Sequence, residues 1–165
     1  MQKPTARGFT LFEILIVVVI ISIVMVAGVQ YLGVGSARTE LQRYGEQLAA
    51  KIKLACEQSI LQNLPYGVGF SQDGYYLMTQ NGFEWRPLEG SGVFAATAIR
   101  IPLEQQLEQQ GNRIDLPTEL PETPQLRCAS DGSMTSFRLL LKNQQQVYEL
   151  MTESSWELRG GWYEE

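Results

Sequence analysis

The chain has 165 residues, a formal net charge of −5 and no histidine. Without histidine it lacks the commonest general base and the commonest metal ligand, so we expect neither an enzyme nor a cofactor or metal site. The acidic balance provides no general attraction for nucleic acid, and no nucleic-acid partner is expected.

An apolar run extends from Ile14 to Leu32 without a charged residue inside it. As a helix at ~1.5 Å per residue it would be roughly 28 Å long, close to the thickness of the hydrocarbon core of a bilayer. Lys3 and Arg7 precede the run, so the positive-inside rule leaves residues 1–8 in the cytoplasm and sends the rest across the membrane. The run therefore predicts a single membrane-spanning helix.

Glu13 directly precedes this run, at its N-terminal end. An ionisable side chain at the edge of a membrane helix is a functional candidate, although a carboxylate in a first helical turn is also favoured by the helix dipole alone. For the whole stretch, the alternative is a secretory signal peptide cleaved near Ala27-Gly28. The apolar cores of such peptides are usually about 7–15 residues long, so a retained helix is the favoured interpretation.

The residues Gly8-Phe9-Thr10-Leu11-Phe12-Glu13, followed by the apolar run, closely resemble the N-terminal signature of type IV pilins and pseudopilins. The resemblance implies that a prepilin peptidase cleaves after Gly8 and then methylates the new N-terminal residue, Phe9. It also implies that Glu13 pairs with the N-terminal amine of a neighbouring subunit during filament assembly.

Residues 36–63 are predicted to continue the first helix out of the membrane. Apolar side chains recur there at steps of three and four, which is typical of a one-sided helix: Ala37, Leu41, Tyr44, Leu48, Ile52 and Ala55. Cys56 lies beside this stripe, and Pro65 is expected to end the helix.

From Tyr66 the pattern changes to a period of two, which predicts short strands. Asp73-Gly74 and Asn81-Gly82 are hairpin signals between the first three of these strands, predicted at 67–70, 75–78 and 83–86. Phe94 to Leu103 also has strand character. Glu104 to Pro124 is polar and is predicted to be a loop with at most one short strand, at residues 114–116.

The C-terminal third is predicted to be a second meander with a turn at Asp131-Gly132. Its strands are expected at residues 126–128, 137–141, 147–151 and 156–159. Gly160-Gly161 and Glu164-Glu165 would close the chain after the last strand. Trp162-Tyr163 is the aromatic pair expected to be exposed and available to another subunit.

The two cysteines, Cys56 and Cys128, are both expected to face inward. A globular part in the periplasm would allow them to form a disulfide, which would close a loop of about 70 residues. Two buried free thiols are the alternative.

Together these elements predict an α+β fold, in which a long N-terminal helix packs on an antiparallel β-sandwich. Trp85-Arg86-Pro87 after a hairpin, and the Asp131-Gly132 turn before the final strands, resemble the H-type minor pseudopilins of the type II secretion system and the related FimT-like minor pilins.

Four segments are expected in the chain. They are a cytoplasmic prepilin leader at 1–8, a transmembrane helix in the bacterial inner membrane at 9–35, an amphipathic helix continuing into the periplasm at 36–63, and a periplasmic globular domain at 64–165.

The resemblance implies a minor pseudopilin of a type II protein secretion system, at or near the tip of the periplasmic pseudopilus, which helps to drive exoprotein export. Its implied partners are other pseudopilins, bound through the N-terminal helix, the prepilin peptidase and the inner-membrane assembly platform. One alternative is a minor pilin of a type IV pilus. The other is a membrane-anchored periplasmic binding module whose anchor matches the signature by chance.

Overall fold

The computed structural model of the chain describes residues 11–88, 90, 92–144, 146–154 and 157–163, with the backbone alone at 26–36 and 93. Four predicted features lie wholly or partly outside the described residues: Gly8, Phe9, Trp156 and Glu164-Glu165. The chain divides into two compact units, Met1–Thr39 and Glu40–Glu165.

The first unit contains the beginning of a helix, α1, which runs from Leu11 to Gln62. The large apolar side chains from Leu11 to Met25 are exposed all round it, with fractional exposures between 41% and 85%. The Ser22 hydroxyl donates a hydrogen bond of 2.8 Å to the Val18 carbonyl, so this polar side chain is satisfied within the helix. Among the described residues, no helix combines the length and the hydropathy needed for a membrane span.

In the second unit, α1 turns one apolar face to the domain core. Five side chains of the predicted stripe are buried: Leu41, Tyr44, Leu48, Ile52 and Ala55. Their spacing of three and four residues is the spacing of one helix face, so the predicted amphipathic helix is confirmed from Leu41 onward. Ala37 is exposed, so the buried face does not include it. The helix ends at Gln62, three residues before Pro65.

Ten strands and one short 3-10 helix, Gly92–Phe94, follow in the described residues. The strands are β1 (Tyr66–Ser71), β2 (Gly74–Asn81), β3 (Glu84–Pro87), β4 (Thr97–Ala98), β5 (Glu104–Gln109), β6 (Asn112–Ile114), β7 (Leu126–Cys128), β8 (Arg138–Lys142), β9 (Val147–Ser154) and β10 (Glu157–Trp162).

The strands form two antiparallel sheets of five within the described part of the chain. The first has the order β3-β2-β1-β7, with β4 also paired to β2, and the second has the order β10-β9-β8-β5-β6. The pairs run antiparallel, for example Val68 opposite Leu77 and Leu139 opposite Leu150. A helix with two antiparallel sheets confirms the predicted α+β class.

One hydrophobic cluster joins the α1 face to both sheets. The first sheet contributes Tyr66, Val68, Phe70, Tyr75, Leu77 and Leu126, and the second contributes Leu107, Leu139, Leu141, Tyr148 and Leu150. Burial of one such large side chain stabilises the fold by roughly 1.5–3 kcal/mol relative to leaving it exposed. The second unit therefore carries its own core.

The predicted loop from Glu104 to Pro124 is wrong over its first half, where β5 and β6 form a hairpin. β5 pairs with β8 along its length, so it is an inner strand of the second sheet. The strand was missed because glutamine occupies the buried position 105, which hides the apolar alternation with Leu107. Gln110 and Gly111 turn the hairpin with positive φ angles of 51° and 79°.

The strand character expected from Phe94 to Leu103 is confirmed only at Thr97–Ala98, which pairs with β2. One backbone carbonyl of this segment accepts its hydrogen bond from a side chain of α1 and not from a strand, since Lys51 Nζ donates to the Ala95 carbonyl at 3.2 Å. Pro102 has no backbone donor for a ladder.

The last strand is longer than predicted and includes Gly160 and Gly161. It needs glycine at position 160 because a Cβ there would lie 2.7 Å from the Tyr148 hydroxyl oxygen of the neighbouring strand. The two glycines therefore belong to the sheet and do not close the chain. Ser155 and Trp156, before this strand, lie outside the described residues.

Candidate functional site

Glu13 lies in the first turn of α1, where its carboxylate interacts favourably with the helix dipole. It is an exposed side chain, and the neighbouring Leu11, Phe12 and Ile14 are exposed as well. This arrangement presents one acid within an apolar surface. Gly8 and Phe9, the predicted processing residues, lie outside the described residues.

The apolar surface around Glu13 is continuous along the described side chains from Leu11 to Met25. A helix that is apolar on all sides is stable when lipid or other apolar helices cover it. Extended exposed apolar surfaces of this kind mark sites of membrane or protein contact. The chemistry available to the first unit is therefore association with an apolar environment, with one carboxylate able to bind a cation.

Cys56 of α1 and Cys128 of β7 form a disulfide, with their Cα atoms 5.0 Å apart. The two elements bring the cysteines together because β7 pairs with β1, which opposes Cys128 to Tyr66. Cys128 is buried and Cys56 is half-buried. The bond thus connects the second half of the helix to the edge of the first sheet.

Ser59 supports this junction and was not singled out in the sequence. Its fully buried hydroxyl lies 2.8 Å from the Cys56 carbonyl oxygen and 2.9 Å from the Ala129 carbonyl oxygen. One side chain therefore contacts the backbone of Cys56 and of the residue that follows Cys128. A serine one turn after an apolar stripe gives no signal of such a contact, because its partner is 70 residues away.

A buried polar cluster that the sequence did not reveal lies where α1 meets the two sheets. The Gln105 amide donates 3.1 Å to the Ser71 carbonyl, and the Tyr44 hydroxyl donates 3.5 Å to Gln105 Oε1. The Tyr44 ring meets the Tyr75 ring edge to face at 5.9 Å. Burial raises the pKa of Tyr44 and of Tyr75, so both phenols stay neutral.

Lys51 lies over this cluster. Its ammonium donates 2.7 Å to Thr97 Oγ1 and lies 5.3 Å from the centre of the Tyr75 ring. Desolvation lowers the pKa of Lys51, because burial disfavours the charged form.

The C-terminal aromatic pair is not exposed as a unit. Trp162 is half-buried, and its ring meets that of Tyr148 at 5.3 Å with an interplanar angle of 85°. Tyr163 is 40% exposed, and the Arg138 guanidinium lies 5.2 Å from its ring centre. The expectation of an exposed aromatic pair is therefore wrong for Trp162. Arg138 also pairs with Glu149.

No group of three or more metal-ligating side chains occurs within the described residues. The features described above leave two candidate sites, the apolar helix with Glu13 and the disulfide between Cys56 and Cys128.

Known proteins share the N-terminal motif and the fold of this chain. Residues 3–29 match the family described as the prokaryotic N-terminal methylation motif. The chain is 30% identical over 148 residues to the type II secretion system protein H of Pseudomonas aeruginosa, covering 82% of this chain and 83% of that protein.

Two solved structures share the fold. The minor pseudopilin EpsH from the type 2 secretion system of Vibrio cholerae has a TM-score of 0.56 at 19% identity, covering 75% of this chain and 94% of that one. The solution structure of Escherichia coli GspH has a TM-score of 0.57 at 23% identity, covering 72% and 84%.

The methylation motif and the helix with two antiparallel sheets define a pilin-like protein. Within that class, the chain belongs to the family of the type II secretion system protein H. It is a minor pseudopilin of type II secretion, as the N-terminal signature and the strand pattern predicted. Its relatives are structural proteins of the secretion system and not enzymes.

Proposed function

We propose that the chain is a subunit at or near the tip of the periplasmic pseudopilus, where it helps to drive folded exoproteins across the outer membrane. The observation that carries the proposal is the motif Gly8–Glu13, which lies inside the matched methylation motif and directly precedes the apolar run. Membership of the protein H family supports the assignment to secretion.

The proposed organisation follows the charge and hydropathy of the sequence. Residues 1–8 are a cytoplasmic leader, 9–35 cross the bacterial inner membrane once, 36–63 continue as an amphipathic helix and 64–165 form a periplasmic domain. Two basic residues before the run, Lys3 and Arg7, keep the leader in the cytoplasm.

Processing prepares the helix for assembly. The prepilin peptidase cleaves after Gly8 and methylates Phe9, and the subunit then leaves the membrane at the inner-membrane assembly platform. Its apolar side chains exchange lipid for the helices of other pseudopilins, so apolar surface stays covered throughout. Glu13 neutralises the N-terminal amine of a neighbouring subunit, which avoids an unpaired charge inside the bundle.

The disulfide fits the proposed compartment. Bonds of this kind persist in the oxidising periplasm and are rare in the cytoplasm. The bond between Cys56 and Cys128 therefore forms after the domain has crossed the inner membrane.

The experiment is mass spectrometry of the N-terminal peptide, from the full chain expressed in a secreting bacterium that lacks its own H subunit. We expect a mature protein that starts at N-methylated Phe9 and restores exoprotein secretion. The Gly8→Val variant should keep its leader and fail to restore secretion.

An intact Met1, or a start at Gly28, would contradict the proposal and favour an anchored binding module. Correct processing with restored surface pili but no restored secretion would instead identify a minor pilin of a type IV pilus.

A further inference from the structure

A groove with a volume of 570 Å³ lies in the second unit, between α1 and the segment 92–101. Three cations and one acid line it, Arg43, Lys51, Arg100 and Glu40, and we refer to it as the basic groove. Its net positive charge is opposite to that of the whole chain, which has 13 basic and 18 acidic residues.

The cations of the basic groove differ from four other arginines of the domain. Four described arginines have a carboxylate oxygen within 4.0 Å: Arg86, Arg113, Arg138 and Arg159. Over the same described part of the chain, no ion pair involves Arg43, Lys51 or Arg100. The domain thus pairs these four arginines with its own carboxylates and leaves the cations of the groove available to an external anion.

Lys51 is held in place by the domain itself. Thr97 Oγ1 at 2.7 Å and the Ala95 carbonyl at 3.2 Å accept two of its three ammonium hydrogens, and the Tyr75 ring lies beneath it. One donor remains for a ligand. Because the side chain is already ordered and partly desolvated, binding an anion there costs less conformational entropy than binding at a mobile surface lysine.

The opposite wall leaves room for a polypeptide. Ala96, Ala98 and Arg100 alternate as exposed residues from just before β4, which pairs with β2, to just after it. Small side chains allow another main chain to approach closely, while Arg100 adds a cation at the end of the row. The volume lies within the usual range of ligand sites, about 300–1,000 Å³.

We propose that the basic groove binds an acidic peptide segment of a partner protein, with partner carboxylates on Arg43, Lys51 and Arg100. Charge complementarity and the ordered ammonium favour peptide carboxylates, and the small-residue wall favours an extended chain. The proposal goes beyond the pseudopilus function, because it names a surface of the globular domain and not the helix.

The test is fluorescence anisotropy with the full chain in neutral detergent and a fluorescein-labelled peptide of alternating glutamate and alanine. We expect saturable binding that weakens as salt is added, since screening reduces attraction between exposed charges. The triple change Arg43→Gln, Lys51→Gln and Arg100→Gln should weaken binding by about tenfold or more, equivalent to about 1.4 kcal/mol.

Two further variants control the result. Lys53→Gln removes an exposed cation of the same helix outside the basic groove and should leave affinity unchanged. The double variant Arg43→Gln and Arg100→Gln keeps the contacts of Lys51 with the domain. If this variant unfolds at the same midpoint as the unaltered chain but binds the peptide more weakly, a folding defect is excluded.

Equal binding of a glutamine-alanine peptide would overturn the proposal, as would an equal loss in Lys53→Gln. Binding of phosphatidylglycerol vesicles or of single-stranded DNA without binding of the acidic peptide would also overturn it. None of these results depends on N-terminal processing, so this inference fails or holds separately from the pseudopilus function.

Discussion

Tyr148 shows how single residues determine packing in the domain. Its ring lies against Gly45 of α1, and its hydroxyl lies against Gly160 of β10. An added Cβ at Gly45 would overlap ring carbons, whereas one at Gly160 would come 2.7 Å from the hydroxyl oxygen. Glycine at both positions is therefore required by space, although glycine in a helix costs about 1 kcal/mol relative to alanine.

These contacts predict a specific double-mutant result. Gly160→Ala should destabilise the domain by about 1–3 kcal/mol through overpacking, and Tyr148→Phe should recover much of this loss because the hydroxyl is removed. Gly45→Ala should not be recovered by Tyr148→Phe, since the ring remains. Urea unfolding followed by tryptophan fluorescence measures each free energy.

Gly161→Ala is the matched control, because nothing lies within 4 Å of its added Cβ. A loss of stability at Gly161→Ala as large as at Gly160→Ala would show that backbone effects, and not the Tyr148 contact, dominate.

Glu13 is the residue on which assembly is predicted to depend. Glu13→Ala should insert into the membrane normally but enter pseudopili poorly, because an unpaired neighbouring amine in an apolar bundle costs about 3–5 kcal/mol. Membrane fractionation measures insertion, and crosslinking to other pseudopilins measures assembly.

Glu46→Ala, an exposed acid on the same helix, should assemble like the unaltered chain. Normal assembly of Glu13→Ala would contradict the pairing role and leave the carboxylate as a first-turn residue favoured by the helix dipole.

At the scale of elements, the spacing of apolar residues predicted those helices and strands that depend only on residues close together in the sequence. The α1 face from Leu41 to Ala55 and the strands β1 and β2 follow directly from apolar spacing. β5 did not, because Gln105 is buried through hydrogen bonds to the Ser71 and Gly74 carbonyls, which are more than 30 residues away. Local sequence contains no information about a partner at that distance.

The same reason explains the missed parts of the candidate sites. The position of Lys51 depends on Thr97 and Tyr75, and that of Ser59 depends on Ala129. The N-terminal signature, by contrast, is a run of neighbouring residues, so the pilin-like class could be predicted from it.

At the scale of the whole molecule, the two units derive stability from different sources. The described side chains of the first unit from Leu11 to Met25 are exposed and need an apolar environment from outside. The second unit buries its own cluster of apolar side chains and adds a covalent bond between Cys56 and Cys128.

Removal of that bond should destabilise the second unit without changing its fold. On the chain-entropy model, a loop set by a sequence separation of 72 contributes about 4 kcal/mol. The pair Cys56→Ser and Cys128→Ser should therefore unfold at lower urea concentration than the oxidised chain. The reduced unaltered chain should match the variant, and equal midpoints for all three would contradict the expectation.

The disulfide also determines how the domain responds to mechanical load. The covalent ring from Cys56 to Cys128 encloses the six strands β1 to β6. When the chain is pulled between its two ends, tension passes from the helix through the sulfur bridge into β7, and the enclosed strands are bypassed. The strands β8 to β10 lie outside the ring and carry the load. When the domain unfolds under force, the chain therefore lengthens only by the residues outside the ring.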